Sequence, residues 1–196
     1  MKKAIILAIS MCLITAQATQ AFEKGYEKRV EAYAFAGLTD YYKYLFGVGM
    51  VNGWRMTPSI FVGVGTGCEY SNALYRTGLK DDQYCPQYMI PLYGEFKYNF
   101  RSQQKVSPYL LLDAGWVLNF GGEDDKDISK RSIYGLMASA RYGIDVKVGD
   151  EIRLFASAGP RFQHVRHTDR YPGTKGWEHH LIDRMLTSVC LHIGII

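Results

Sequence analysis

Eight stretches of the chain, roughly residues 26 to 37, 43 to 56, 58 to 70, 87 to 100, 107 to 120, 131 to 148, 151 to 164 and 180 to 196, alternate apolar and mixed residues with a period of two. That period belongs to a β-strand, whose successive side chains point to opposite faces. At roughly 12 to 18 residues these strands far exceed the ~5 to 6 residues usual in soluble sheets. Long, tilted strands are what a bilayer demands, at ~9 to 11 residues for each crossing. The stretch PYLLLDAGWVLNF, residues 108 to 120, shows the pattern. Leu110, Leu112, Ala114, Trp116, Leu118 and Phe120 share one face; Tyr109, Leu111, Asp113, Gly115, Val117 and Asn119 share the other.

The connections alternate in length. Thr57-Pro58, RSQQKVS and the VGDE turn around Gly149 are short, whereas residues 71 to 86, 121 to 130 and 165 to 179 form longer connections; the first hairpin, around LTDYY, is brief. An up-and-down meander places alternate connections at opposite ends, so the short turns gather at one end. Short periplasmic turns and longer outer loops are the asymmetry of bacterial outer-membrane barrels.

Alternation alone does not separate a membrane barrel from a soluble lipocalin-like one, because each has an apolar and a polar face. The composition of the faces decides. The greasy face of residues 131 to 148 holds Tyr134, Leu136, Ala138, Ala140, Tyr142, Ile144 and Val146, and that of 151 to 164 holds Ile152, Leu154, Ala156, Ala158, Pro160 and Phe162. Asn52 and Asp183 are the polar exceptions, and charge is nearly absent. The mixed face collects glycines such as Gly47, Gly49, Gly63, Gly65, Gly67, Gly115 and Gly143. Glycine weakens a solvated strand but makes room inside a narrow barrel, so the mixed face reads as the inside. Aromatic residues on the greasy face fall at two levels: Tyr88, Phe120, Tyr134 and Phe162 near the long loops, and Trp54, Tyr98 and Phe100 near the short turns. Two such belts match the two interfaces of a bilayer.

The N-terminus supports export. Lys2 and Lys3 precede an apolar run from Ala4 to Ala16, and Ala18 and Ala21 offer a small-residue cleavage site; the run is too short to span a membrane as a helix. Met11 before Cys12 is too large for lipoprotein processing. Residues 1–21 are therefore expected to be a cleaved signal peptide and residues 22–196 a single barrel domain. Removing 21 of the 196 residues leaves 175, with a net charge of about +2 in place of +4. No charge block points to nucleic acid. Of the cysteines that remain, Cys68 and Cys85 flank one loop and are open to pairing outside the cytoplasm, while Cys190 lies within a strand. With 15 tyrosines, 20 glycines and 6 prolines, the expected fold is an all-β, eight-stranded antiparallel up-and-down transmembrane β-barrel.

The leader, the eight long alternating strands and the charged, glycine-lined interior together resemble the small outer-membrane β-barrel proteins, the group of the outer membrane protein A transmembrane domain and the OmpX- and OmpW-type barrels. The resemblance covers the whole mature chain and rests on architecture, not on a motif. It implies an integral outer-membrane protein of porin-family type, in contact with outer-membrane lipid and lipopolysaccharide and inserted by the barrel-assembly machinery. Such proteins commonly close on an outward aromatic residue, whereas this sequence ends LHIGII.

Inside such a barrel Glu31, Glu95, Asp113 and Asp145 share the lumen with Lys97, Arg141, Arg153, Arg161 and Arg184, and Asp113 is expected opposite Arg141. Charges in so dry a space pair. Eight strands leave a lumen that side chains fill, so the expectation is an ion-pair plug and no wide pore. The five histidines, His164, His167, His179, His180 and His192, lie in the last third of the sequence; four of them cluster around the last long loop, show no ligand spacing and read as exposed loop residues. Glu123, Asp124, Asp125 and Asp127 in GGEDDKD lack the spacing of a calcium loop. Tyr171 and Trp177, with Arg166, Arg170 and Lys175, are candidates to contact a surface ligand through loop 165–179, alongside loops 71–86 and 121–130. A lipid-A-modifying enzyme is the alternative class. The deacylases among such barrels carry a His-x-Ser pair, which is absent here, and no catalytic, cofactor or metal residue is assigned.

Overall fold

A computed structural model describes residues 24–38, 42–76, 82–102, 104–119, 134–148, 152–173 and 176–196. They form eight strands: β1 (Gly25–Gly37), β2 (Tyr42–Thr57), β3 (Ile60–Arg76), β4 (Asp82–Asn99), β5 (Val106–Asn119), β6 (Tyr134–Val148), β7 (Ile152–Gly173) and β8 (Gly176–Ile195). Each strand pairs antiparallel with its neighbours in sequence, and β1 pairs with β8 to close the barrel. The expected fold is the observed one. Residues 1–21, read as a signal peptide, lie outside the described residues.

Closure fixes the geometry. The ladder partners can be followed once round, from Glu27 through Gly53, Gly63, Glu95, Asp113, Ser139, Arg161 and Ser188 back to Gly37, ten residues further along β1. With strands ~4.8 Å apart and ~3.3 Å per residue, a stagger of ten over eight strands tilts them by about 40°. Each residue then climbs about 2.5 Å along the barrel axis, and the ~25 Å apolar band of a membrane barrel takes about ten residues.

The outer face fits that band. Tyr26, Trp54, Tyr98 and Phe100 are exposed near the end that carries the short turns, the start of β1 and the end of β8. Tyr44, Phe46, Tyr70, Trp116 and Phe162 are exposed close to ten residues higher, once the stagger is counted. Between the belts the outward side chains are Val, Leu, Ile, Ala and a few others. Along the described strands they include one lysine, Lys28, beside the lower belt, and no Arg, Asp or Glu. Asn52, the polar exception, accepts a hydrogen bond from the Tyr26 hydroxyl at 2.6 Å, which satisfies its carbonyl where water is scarce. The side chains of Phe120, Tyr134 and Asp183 are outside the described set.

Glycine on the inner face gives rings their space. Tyr33 is the register partner of Gly47, Tyr93 of Gly65 and Tyr109 of Gly143, and in each pair the ring occupies the volume that a Cβ on the glycine would need. The rings of Tyr33, Phe35, Phe61 and Tyr93 join Leu45, Val51, Met89, Val117 and Met137 in an apolar cluster inside the barrel.

Two connections differ from expectation. The stretch 71 to 86, read as a loop, is largely ladder: β3 and β4 stay paired out to Arg76 and Asp82. In 165 to 179 the β7–β8 ladder runs to Gly173 and Gly176. Polar sequences there hide the strand period, because beyond the apolar band neither face has to be greasy, while the backbone still gains from continuing the hairpin. The contacts proposed for Arg166, Arg170, Tyr171, Lys175 and Trp177, and the loop 121–130, lie outside the described side chains. Register also separates Cys68 from Cys85. Cys85 pairs with Ala73, five positions further along β3, whereas a disulfide needs Cα atoms within ~7 Å.

Candidate functional site: the charged lumen

Inward positions alternate along every strand, so each strand contributes charges at fixed intervals and the stagger decides which of them meet. Among the described residues the buried charged side chains are six acids (Glu27, Glu31, Glu69, Glu95, Asp113 and Asp145) and six bases (Arg29, Arg55, Lys97, Arg141, Arg153 and Arg161). The formal charges balance, as a water-poor interior requires. They form three tiers.

At the turn end, Arg55 Nε donates to Glu27 Oε2 at 2.6 Å, and Arg55 Nη1 to Asn99 Oδ1 at 3.2 Å and to the Pro58 carbonyl at 3.1 Å. Asn99 Nδ2 donates to Asp145 Oδ2 at 2.6 Å, and Lys97 Nζ donates to Asp145 Oδ1 at 2.8 Å. The Lys97 ammonium also sits 4.0 Å from the centre of the Tyr109 ring, a cation–π contact in a dry site.

In the middle tier Arg141 Nη2 donates to Asp113 Oδ2 at 2.7 Å, as the sequence leads one to expect. The two are not direct partners: Asp113 pairs with Ser139, whose hydroxyl also donates to Asp113 Oδ2 at 2.6 Å, and Arg141 reaches back along its strand. Arg141 further lies 3.5 Å from Glu31 Oε2 and 3.7 Å from Glu95 Oε2. Arg29 closes the tier by donating to Glu95, its guanidinium held between the rings of Phe61 and Phe155 at 5.8 and 5.1 Å. The Tyr93 hydroxyl donates to Glu31 Oε1 at 2.9 Å.

At the loop end Arg161 binds Glu69 through two parallel hydrogen bonds of 2.7 and 3.1 Å, the bidentate form that fixes both side chains. Phe35 covers this guanidinium at 4.6 Å.

Glu31, Glu95, Asp113, Asp145, Lys97, Arg141, Arg153 and Arg161 are thus all where alternation puts them; the side chain of Arg184 is outside the described set. The expected set omits Glu27, Arg29, Arg55 and Glu69, which share the parity of inward neighbours; carrying the Glu31 phase back two and four residues finds Arg29 and Glu27. His192, the one histidine away from the last long loop, is a buried lumen residue, stacked on Tyr33 at 4.7 Å with Nδ1 3.4 Å from Glu31 Oε2. The even-numbered phase of β8, set by Leu186 and Cys190, points it inward. His164 is half-buried, and the side chains of His167, His179 and His180 are outside the described set. No group of three metal-ligating side chains occurs among the described residues.

Chemically this interior is a set of interlocked ion pairs across strands far apart in sequence, with rings packed between the tiers. A closed, antiparallel, eight-stranded barrel with a greasy outside and a charged inside defines the class: the fold is that of the small outer-membrane barrels. Solved structures share it. The chain is similar to the outer membrane protein OprG from Pseudomonas aeruginosa, at 10% identity over 90% of this chain and 96% of that one, with a TM-score of 0.64. It is similar to Neisserial surface protein A (NspA), at 16% identity over 87% and 97%, TM-score 0.53, and to the outer membrane protein AlkL in lipid bilayers, at 14% identity over 92% of each, TM-score 0.54. No protein-family model matches the chain, and no curated protein sequence does.

Proposed function

We propose that the chain is an integral outer-membrane protein, exported by a signal peptide over residues 1–21, with both termini in the periplasm. It serves as a scaffold that presents its loop end, residues 71–86, 121–130 and 165–179, to ligands outside the cell. The observation that carries this reading is the outer face, a band about ten residues tall with aromatic belts at both edges and Lys28 as its one formal charge on the described strands. A soluble barrel exposing that surface to water would aggregate. The partners follow from the same face: lipid and lipopolysaccharide around the barrel, and the barrel-assembly machinery for insertion.

Its lumen is a plug with no wide pore, and the protein is not an enzyme. Arg141 with its three carboxylates and the Arg161–Glu69 pair cross the bore at two levels. Extraction tests the location: the mature protein should pellet with outer membranes and leave them only in detergent, and recovery in the soluble periplasmic fraction overturns the proposal. Planar-bilayer recording tests the plug, since large steady conductance contradicts it. Lipid-A mass spectrometry of a deletion strain tests for catalysis, because an altered acyl pattern makes the chain a lipid-A-modifying enzyme.

A further inference from the structure

The ladder that closes the barrel is its shortest: among the described residues β1 and β8 share eight register pairs, Val30↔Ile195 to Gly37↔Ser188, whereas every other neighbouring pair of strands has more. Among the described residues a titratable contact between an imidazole and a carboxylate crosses this seam inside the barrel. His192 of β8, register partner of Tyr33, holds Nδ1 3.4 Å from Glu31 Oε2 on β1. That oxygen is contested, since Arg141 Nη1 lies 3.5 Å and Arg29 Nε 4.0 Å from it, while the other Glu31 oxygen is taken by the Tyr93 hydroxyl. Arg141 keeps Asp113 at 2.7 Å and Glu95 at 3.7 Å, so it can yield Oε2 and remain paired.

We propose that His192 is a proton-operated clasp on the closing seam. When the imidazole takes up a proton, Glu31 Oε2 passes from Arg141 to His192, and an ion pair ties β8 to β1. When the imidazole is neutral, the seam is held by its ladder and by the stack on Tyr33. The surroundings of His192 act in both senses: burial and the Arg141 guanidinium oppose the imidazolium, and Glu31 and Asp113 favour it. Glu69, Tyr93 and Arg161 line the small void beside it and face it from β3, β4 and β7, while Cys190 precedes it on β8. Arg161 is committed to Glu69 through two hydrogen bonds and is not free to replace it. The inference rests on the closure of the barrel and not on where the barrel resides.

Amide hydrogen exchange of the full chain in detergent micelles, corrected for intrinsic rates and followed at pH 5 and pH 7.5, is the test. Protection at Ala34, Ala36, Val189 and Leu191 on the seam should rise about fivefold or more at the lower pH relative to the β3–β4 ladder, as an added contact of ~1 kcal/mol gives. In His192→Gln and Glu31→Gln that relative rise should vanish. The proposal is overturned if seam and β3–β4 protection change in parallel in the wild type, or if the rise survives in His192→Gln. Should either variant fail to fold, the wild-type imidazole ¹⁵N shift decides. It must report proton uptake over the same interval in which the seam tightens, and uptake without tightening, or tightening without uptake, overturns the clasp.

Discussion

Leu112 and Asp113 are adjacent on β5, face opposite sides of the barrel wall and lie within one residue of the same height, so exchanging their chemistry one at a time tests the in–out assignment directly. Counting the stagger, four strands round from Glu27, both sit about five residues up a ten-residue band, close to its midplane. Leu112→Asp puts a carboxylate against lipid at the most expensive depth, with no described cation on that face at its level. An acid there costs on the order of 2 kcal/mol, somewhat less than the ~2 to 4 kcal/mol of Arg or Lys at the midplane. Asp113→Leu acts through a different mechanism. It strips Arg141 of its 2.7 Å partner and Ser139 of its acceptor, while Glu31 and Glu95 stay within 3.5 and 3.7 Å of the guanidinium. Breaking a buried pair outright costs ~3 to 5 kcal/mol, and the two remaining carboxylates reduce this to roughly 2 to 3 kcal/mol. The two costs are similar in size, and a second substitution separates them. Adding Arg141→Met to Asp113→Leu should recover at least half the loss, because an apolar pair of similar volume replaces the broken one. Adding it to Leu112→Asp should recover nothing. Urea unfolding from phospholipid vesicles, followed by the fluorescence of Trp54 and Trp116, which face outward, gives the free energies. If Leu112→Asp lies within ~0.5 kcal/mol of wild type, or Asp113→Leu is neutral, the faces are assigned the wrong way round.

Three further outcomes follow from the packing. Gly65→Val should lower the temperature at which the folded band shifts on unheated gels, by an overpacking cost of ~1 to 3 kcal/mol, because Tyr93 fills the space above Gly65; Tyr93→Ala in the same chain should restore much of it. Tyr26→Phe should cost ~1 kcal/mol or more in vesicle unfolding by leaving the Asn52 carbonyl without its donor, and Asn52→Leu added to it should remove that cost. The Arg161–Glu69 pair is enclosed, so 1 M salt should leave the destabilisation measured for Arg161→Met nearly unchanged, whereas an exposed pair is screened; a large salt effect places the pair in solvent.

What the sequence determined by itself is which side of the wall each residue occupies. Alternation is a local property of a strand: Leu110 to Leu118 turn outward and Asp113 inward whatever the neighbours are, and the glycine-rich, charged set can only be the inside of a narrow barrel. Eight strands, their order and the two aromatic levels came from the same local reading. Where the apolar band ends the period loses its contrast, which is why the ladders running on to Arg76 and Gly173 read as loops. The partners of each charge were decided only by the tertiary structure. Arg161 and Glu69 are 92 residues apart, and Arg141 and Glu31 are 110 apart. They meet because closure imposes a stagger of ten residues round the barrel, a single number set by all eight ladders at once and carried by no one of them. A strand fixes its own faces, but only the closed sheet fixes the heights at which those faces confront one another.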